Sequence, residues 1–380
     1  MHKREQPIMV SETAGGPEPG MGSPAPAFIS LGMVVIDELR FPDGRILRDV
    51  PGGSGFYGTL GARLAVPENE SATVCCVITA GSDFPTAVRQ QIEGWGVTVH
   101  YDETPNRLST RGLLEYENDA FGKKTFRYTV PPLHPDLARL PEPLLRSSVV
   151  HTLATPEDLE RHMEVLTSPH GETENSNSLI AWEPSPINIH NREAEHLRAL
   201  HLSDICSPND HELLRMKDIH EGPGIPYNRE LIEYHATNLS SGIKASGHSA
   251  LLEEVGDRPR ATVIRCGEQG CLTIPRGGNP IWLPPFYDHG SSKVLDPTGA
   301  GNAFLGAFAV TFERTDDAVL ASAYGSVAAS FVIEQIGPPR REVIDGRECW
   351  NGEAFEDRLR QYQEKVATWP TDVGPQSKQT

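Results

Sequence analysis

The chain has 380 residues, 38% of them hydrophobic, enough apolar material for one large α/β unit or two modest domains. Its 34 basic residues against 52 acidic ones leave a formal charge of −18, and no Lys/Arg block offsets it, which argues against a nucleic acid partner. Six cysteines are too few for a disulfide scaffold, no apolar stretch reaches the roughly eighteen residues of a membrane span, and the first 26 residues hold no secretory signal. The expectation is a cytoplasmic protein with buried, reduced cysteines, acting on a small molecule without a membrane or nucleic acid partner.

In chain order, residues 1–26 are Gly- and Pro-rich and read as a disordered arm. The run 27–37 (AFISLGMVVID) reads as one apolar strand ending in Asp37. Pro42-Asp43-Gly44 is a hairpin turn between two half-polar strands, and 51–65 (PGGSGFYGTLGARLA) passes from a glycine-rich loop into a helix. A strand over 72–80 and an amphipathic helix closed by Gly96 follow. Segments of alternating polarity within 107–130, joined by DAFG, predict a second hairpin, which could form a small antiparallel sheet with the 40–50 ribbon.

After that the strand–helix rhythm resumes: strand VVHTLA and helix PEDLERHMEVL, strand LIAWEP and helix HNREAEHLRALHL, strand SDICSP and a helix from His211. Strand ATVIRCG, a hairpin-like QGCLTIPRGGNPIWLPP and the buried-looking helix AVLASAYGSVAASFVIEQIG complete it, with a loose tail from 368. This order predicts a doubly wound, mostly parallel sheet with helices on both faces.

The segment 296–304 (DPTGAGNAF) carries the most chemistry. A turn of small residues opens directly into an apolar helix, so backbone N–H groups can converge on an anion with the helix dipole behind them. The alternative is a close-packed helix start with no ligand. In a doubly wound sheet, ligands collect at the carboxyl ends of the strands, where Asp37, Gly52-Gly53, the 209–212 segment and the 267–270 segment would also lie. Asn209 and Glu212 share a face of a helical turn and could hold water around Mg²⁺ beside a phosphate chain; the alternative is an Asn cap with an acidic first turn. Glu183, ending a central strand, would face the same cleft. The 14 histidines show no H-E-x-x-H spacing, so no catalytic zinc site is expected.

Together these segments resemble the PfkB, or ribokinase-like, family of carbohydrate and nucleoside kinases over roughly 28–337, with a pattern nearer its divergent fungal branch than housekeeping ribokinase. The family signature Asp-Thr-x-Gly-Ala-Gly-Asp-x-Phe reads DPTGAGNAF here, its Gly-Gly element reads GGSGFYG (52–58), and its Asn-x-x-Glu is Asn209 to Glu212. The resemblance implies an α/β domain over 27–367, with lid ribbons at about 38–50 and 107–130, and phosphoryl transfer from ATP to a small hydroxylated substrate. It implies substrate contacts from Asp37, Gly53 and Tyr57, and an anion hole from Gly299, Ala300 and Gly301. Asn209, Glu212, Gly267, Gly270 and Asp296 would serve the nucleotide, with Glu212 in the Mg²⁺ shell. Asp296 would lie near a K⁺ loop, and 328–333 would wall the adenine pocket. Pairing of two chains through the lid is also implied.

Two positions depart from the pattern. Asn302 stands where the family has its catalytic-base Asp, and a neutral amide cannot take a proton from a hydroxyl. Tyr57 stands where the family has a sugar-binding Asn. Three functions follow as expectations: an ATP-dependent phosphotransferase for a sugar, nucleoside or related metabolite; a catalytically silent binding or regulatory protein on the same scaffold; or a repurposed non-kinase enzyme using the same anion hole.

Overall fold

Apolar runs bounded by Gly and Pro alternate with amphipathic segments, and the computed structural model, which describes residues 25–117, 124–167, 178–219, 226–241 and 258–369, turns these into strands and helices. The first part holds β1 (Phe28–Ser30), β2 (Val35–Arg40), β3 (Ile46–Gly52), α1 (Ser54–Ala65), β4 (Val74–Gly81), α2 (Thr86–Glu93) and β5 (Thr98–Thr104). Next come β6 (Arg111–Tyr116), β7 (Lys124–Tyr128), the short α3 (Glu142–Leu145), β8 (Val149–Ala154), α4 (Pro156–Leu166), β9 (Leu179–Pro184) and α5 (Glu193–Leu202). Then follow β10 (Ile205–Cys206), α6 (Asp210–Met216), α7 (Arg229–Ser241), β11 (Ala261–Arg265), β12 (Cys271–Pro275) and β13 (Ile281–Leu283). The last elements are α8 (Ala300–Thr315), α9 (Ala318–Val332), β14 (Arg341–Ile344), β15 (Arg347–Trp350) and α10 (Phe355–Thr368).

Nine strands form the main sheet in the order β13-β12-β11-β10-β9-β8-β1-β4-β5. The pairs from β11 across to β5 are parallel, and the β11–β12 and β12–β13 pairs are antiparallel. Side chains alternate between its faces. Phe28, Cys76 and Ile78 pack with Phe56 of α1, Phe308 of α8 and Phe331 of α9 on one side. Ile29, Cys75 and Val77 pack with Leu159, Leu200 and Leu239 of α4, α5 and α7 on the other. All six cysteines are free and buried, as expected.

The helices α1 and α8 cross so closely that a Cβ on Gly61 would overlap the carbonyl of Ala303. That contact clamps the start of α8 to the first crossover helix and fixes where the 296–302 turn sits.

Two expectations about the first strands need correction. The run 27–37 is not one strand: β1 ends at Ser30, the chain bends, and β2 begins at Val35 in a different sheet. Periodicity could not find this break, because the residues on both sides are buried. Asp37 therefore lies inside β2 and does not end the first strand. The small sheet, ordered β3-β2-β6-β7, is also mixed and not antiparallel. Its two hairpins leave the main sheet in the same direction, so β2 and β6 meet as parallel neighbours. The DAFG turn, most of the N-terminal arm and the last residues of the tail lie outside the described residues. Among the described residues no helix is long and apolar enough to cross a membrane.

Candidate active site

The carboxyl ends of β1, β8, β9, β10 and β11 converge beneath the start of α8, as a doubly wound sheet requires. Gly299 caps α8 in the left-handed region (φ 81°), which glycine adopts without strain, and no side chain caps the helix. Its first-turn residues Ala300, Gly301 and Asn302 thus present the positive end of a 16-residue helix to the cleft.

Below that turn runs a buried polar chain. The amide Nδ2 of Asn302 donates to Glu183 Oε2. Glu183 Oε1 pairs with Arg265 Nη2 at 2.8 Å, and the same nitrogen reaches Glu212 Oε2 at 3.3 Å and donates to the Ser207 carbonyl at 2.9 Å. On its other side Glu183 faces His151 Nε2 at 3.8 Å, and His151 Nδ1 is bonded to the Ser30 hydroxyl at 2.9 Å. Burial pushes the Glu183 carboxyl up, but Arg265 and His151 together hold it below its ordinary value, so it is ionised. Glu212, more weakly paired to Arg265, is pushed up to about 7 by burial. Because a carboxylate only accepts, Asn302 must turn its NH₂ toward Glu183, and its Oδ1 is the atom left to meet a ligand.

Asn209 and Glu212 form a capping box. Asn209 Oδ1 accepts from the Glu212 amide at 2.7 Å, and Glu212 Oε2 accepts from the Asn209 amide at 2.8 Å. A preformed Mg²⁺ shell needs free oxygen ligands. Here the paired oxygens serve a helix start and a guanidinium, and no group of three metal-ligating side chains occurs among the described residues. Asn209 Oδ1 and Glu212 Oε2 are thus engaged by the helix start and Arg265 rather than free for a divalent ion.

Across the cleft, Asp37 is 6% exposed and sits over Gly52 and Gly112 of the flanking strands, whose missing side chains make room for it. Its Oδ1 has no partner among the described residues. Burial pushes its carboxyl up to about 7, against the pull of Lys124. Tyr57 is buried with its ring against the Cα of Gly299. Burial first, then the carboxylates of Asp296 and Asp37, push its phenol well above the ordinary value, so it keeps its proton.

The small sheet is tied to the turn through Asp296. Tyr116 donates to Asp296 Oδ2 at 2.8 Å, and the Lys124 ammonium reaches Asp296 Oδ1 at 3.4 Å and bonds the Thr298 hydroxyl. Asp296 also accepts from the Thr298 amide at 3.0 Å. An ammonium of the chain's own thus answers the charge of Asp296. Gly53 caps α1, while Gly267 and Gly270 bracket the β11–β12 turn at the end of the β11 strand. Gly299 to Asn302, Tyr57, Asp37 and Asp296 come together around one cleft. Arg265, His151, Lys124 and Tyr116 were not anticipated. The one signal for Arg265 was a lone charge ending the apolar strand β11.

A doubly wound sheet, a small sheet fastened across its carboxyl edge and an uncapped glycine turn together define an α/β fold of the sugar-kinase type. Residues 62–340 match the model of the pfkB family of carbohydrate kinases, and the chain belongs to that family. It is 31% identical over 360 residues to Uncharacterized protein C16C9.01c of Schizosaccharomyces pombe, covering 90% of this chain and 94% of that protein. It is 29% identical over 352 residues to Protein MAK32 of Saccharomyces cerevisiae, covering 88% and 91%. Both relatives are fungal. Among solved structures it is similar to ribokinase from Giardia lamblia, with TM-score 0.64 and 14% identity over 90% of this chain and 99% of that one. It is also similar to an Escherichia coli chain assigned as ribokinase II and solved with ATP and Mg²⁺, with TM-score 0.60 and 15% identity over 90% and 99%. At such identities these two structures carry the fold.

Proposed function

We propose that the chain binds ATP with its terminal phosphate at Gly299, Ala300 and Gly301, and transfers that phosphoryl group slowly to a hydroxyl of a sugar, nucleoside or related small metabolite. The observation that carries this reading is the left-handed Gly299 opening an uncapped 16-residue helix at the carboxyl edge of the sheet. The acceptor lies under the small sheet. The partnerless oxygen of Asp37 receives one of its hydroxyls, and the Tyr57 ring forms a flat wall beside the turn. The attacking oxygen bonds to phosphorus as the bond to ADP breaks, and its proton must leave. Asn302 Oδ1 can orient that hydroxyl but cannot keep its proton, which passes to solvent or a phosphoryl oxygen. Without a general base the rate falls by about 10²- to 10⁴-fold.

Calorimetry with ATP, followed by a screen of sugars and nucleosides for ADP release, tests the reading. Micromolar binding and slow turnover with one acceptor class are expected. Absence of both heat and thermal shift with ATP would refute it. A second reading, a binding protein with no turnover, is favoured by Asn302 itself and by Tyr57, which fills space beside the turn. It gains if ATP binds and no acceptor is ever phosphorylated.

A further inference from the structure

We propose that Arg265 supplies, from within the chain, the positive charge that answers bound phosphate, so that this site takes a nucleoside di- or triphosphate without a divalent cation. The inference rests on the nucleotide-binding reading above. Arg265 ends β11 with its side chain 10% exposed. Its Nη2 is anchored by Glu183, Glu212 and the Ser207 carbonyl. Its Nη1 edge lies against the first turn of α8, so close to Gly301 that any Cβ there would overlap it, and its Nε is buried without a partner. A guanidinium held by one nitrogen and presented by another, at the positive end of a helix, is an arrangement for a phosphate oxygen.

The same geometry works against a metal. Glu212 Oε2 is shared between the Asn209 amide and Arg265, so that oxygen is not free for a divalent ion. Glu183 and Glu212 engage Nη2, so it is at the Nη1 edge, beside the start of α8, that a dication would be repelled and a phosphate attracted by the guanidinium and the helix together. Glu183 and Glu212 keep the arginine in place and prevent its charge from standing alone in a buried site.

The test is calorimetry of the full chain with ATP and with ADP, in EDTA and in excess Mg²⁺. We expect binding in EDTA with a Kd within about threefold of that in Mg²⁺. In R265K the flat two-sided contact is lost, and in R265M/E183Q the charge is removed together with one of its partners to spare the fold. Both variants should bind ATP in EDTA about 10- to 100-fold more weakly. In R265M/E183Q, Glu212 is released and Mg²⁺ should recover part of that loss. Wild-type binding that appears only with Mg²⁺ would overturn the inference and leave nucleotide binding standing. Unchanged metal-free affinity in both variants would also overturn it. No binding with or without Mg²⁺ would overturn the inference and the nucleotide reading together.

Discussion

Restoring the family's aspartate at 302 should damage this protein before it helps it. Asn302 donates its amide to Glu183, a fully buried carboxylate already paired with Arg265. In N302D the donor becomes a second carboxylate of the same shape at hydrogen-bond distance. Two like charges about 4 Å apart at an effective dielectric near 20 repel by ~4 kcal/mol, so the pair shares a proton and one carboxyl rises by about three pKa units. The folded chain then holds a proton that the unfolded chain has lost. The penalty is therefore small below about pH 4, grows as pH rises from the ordinary carboxylate value towards the raised one, and is complete above it. Urea denaturation at about pH 4 and pH 8 should show N302D close to wild type at the lower pH and about 2–4 kcal/mol less stable at the higher. Turnover should rise little in N302D, because the new carboxylate is spent on Glu183. In N302D/E183Q the introduced glutamine amide can donate to the new carboxylate, both penalties vanish, and ADP release should rise by about 10²-fold or more. N302D with wild-type stability at both pH values would refute the contact, and with it the account of why the amide is there.

Three other perturbations follow from the same geometry. The Asp37 carboxyl is raised from 3.8 to about 7, so between those values the folded chain keeps a proton that the unfolded chain releases, and stability falls as pH rises through that window. D37N should thus be up to about 4 kcal/mol more stable than wild type at about pH 8, close to it at about pH 4, and weaker in acceptor binding, which urea curves and calorimetry would check. K124M removes the ammonium from the nearly buried Asp296, and should cost about 2 kcal/mol and speed hydrogen exchange in β6 and β7, measured by mass spectrometry. G61A forces α1 and α8 apart at Ala303; it should cost about 2–3 kcal/mol in denaturant titration and weaken ATP binding, because the turn moves with α8.

What could be read from the chain and what could not divide along range of interaction. The start of α8 was legible because everything that shapes it is local: small residues, a left-handed glycine and an apolar helix directly behind. The main sheet was legible because each strand and helix carries its own period. The passage from β1 into β2 was not, since both sheets bury their strands there and the residues between them look equally apolar. Taken alone, Asn209 and Glu212 read more readily as a helix cap than as a metal shell. Only the approach of Arg265, 53 positions from Glu212, decided that the pair is a capping box with a guanidinium.

The departure at 302 was visible as a residue type, but its cause lies 119 positions away in Glu183. Beneath the turn, one arginine already serves two carboxylates, and His151, facing the same Glu183, has its other nitrogen on Ser30. A third carboxylate at 302 would leave that buried group with more negative charge than its cation can answer, whereas an amide answers Glu183 with a donor. The neutral residue at 302 and the arginine at 265 are therefore two parts of one charge balance. If a phosphate now takes the free edge of Arg265, that balance shifts toward the ligand without any change at 302. On this view the chain gave up a base at the turn and gained a fixed cation beneath it, which favours holding a phosphorylated ligand over turning one over quickly.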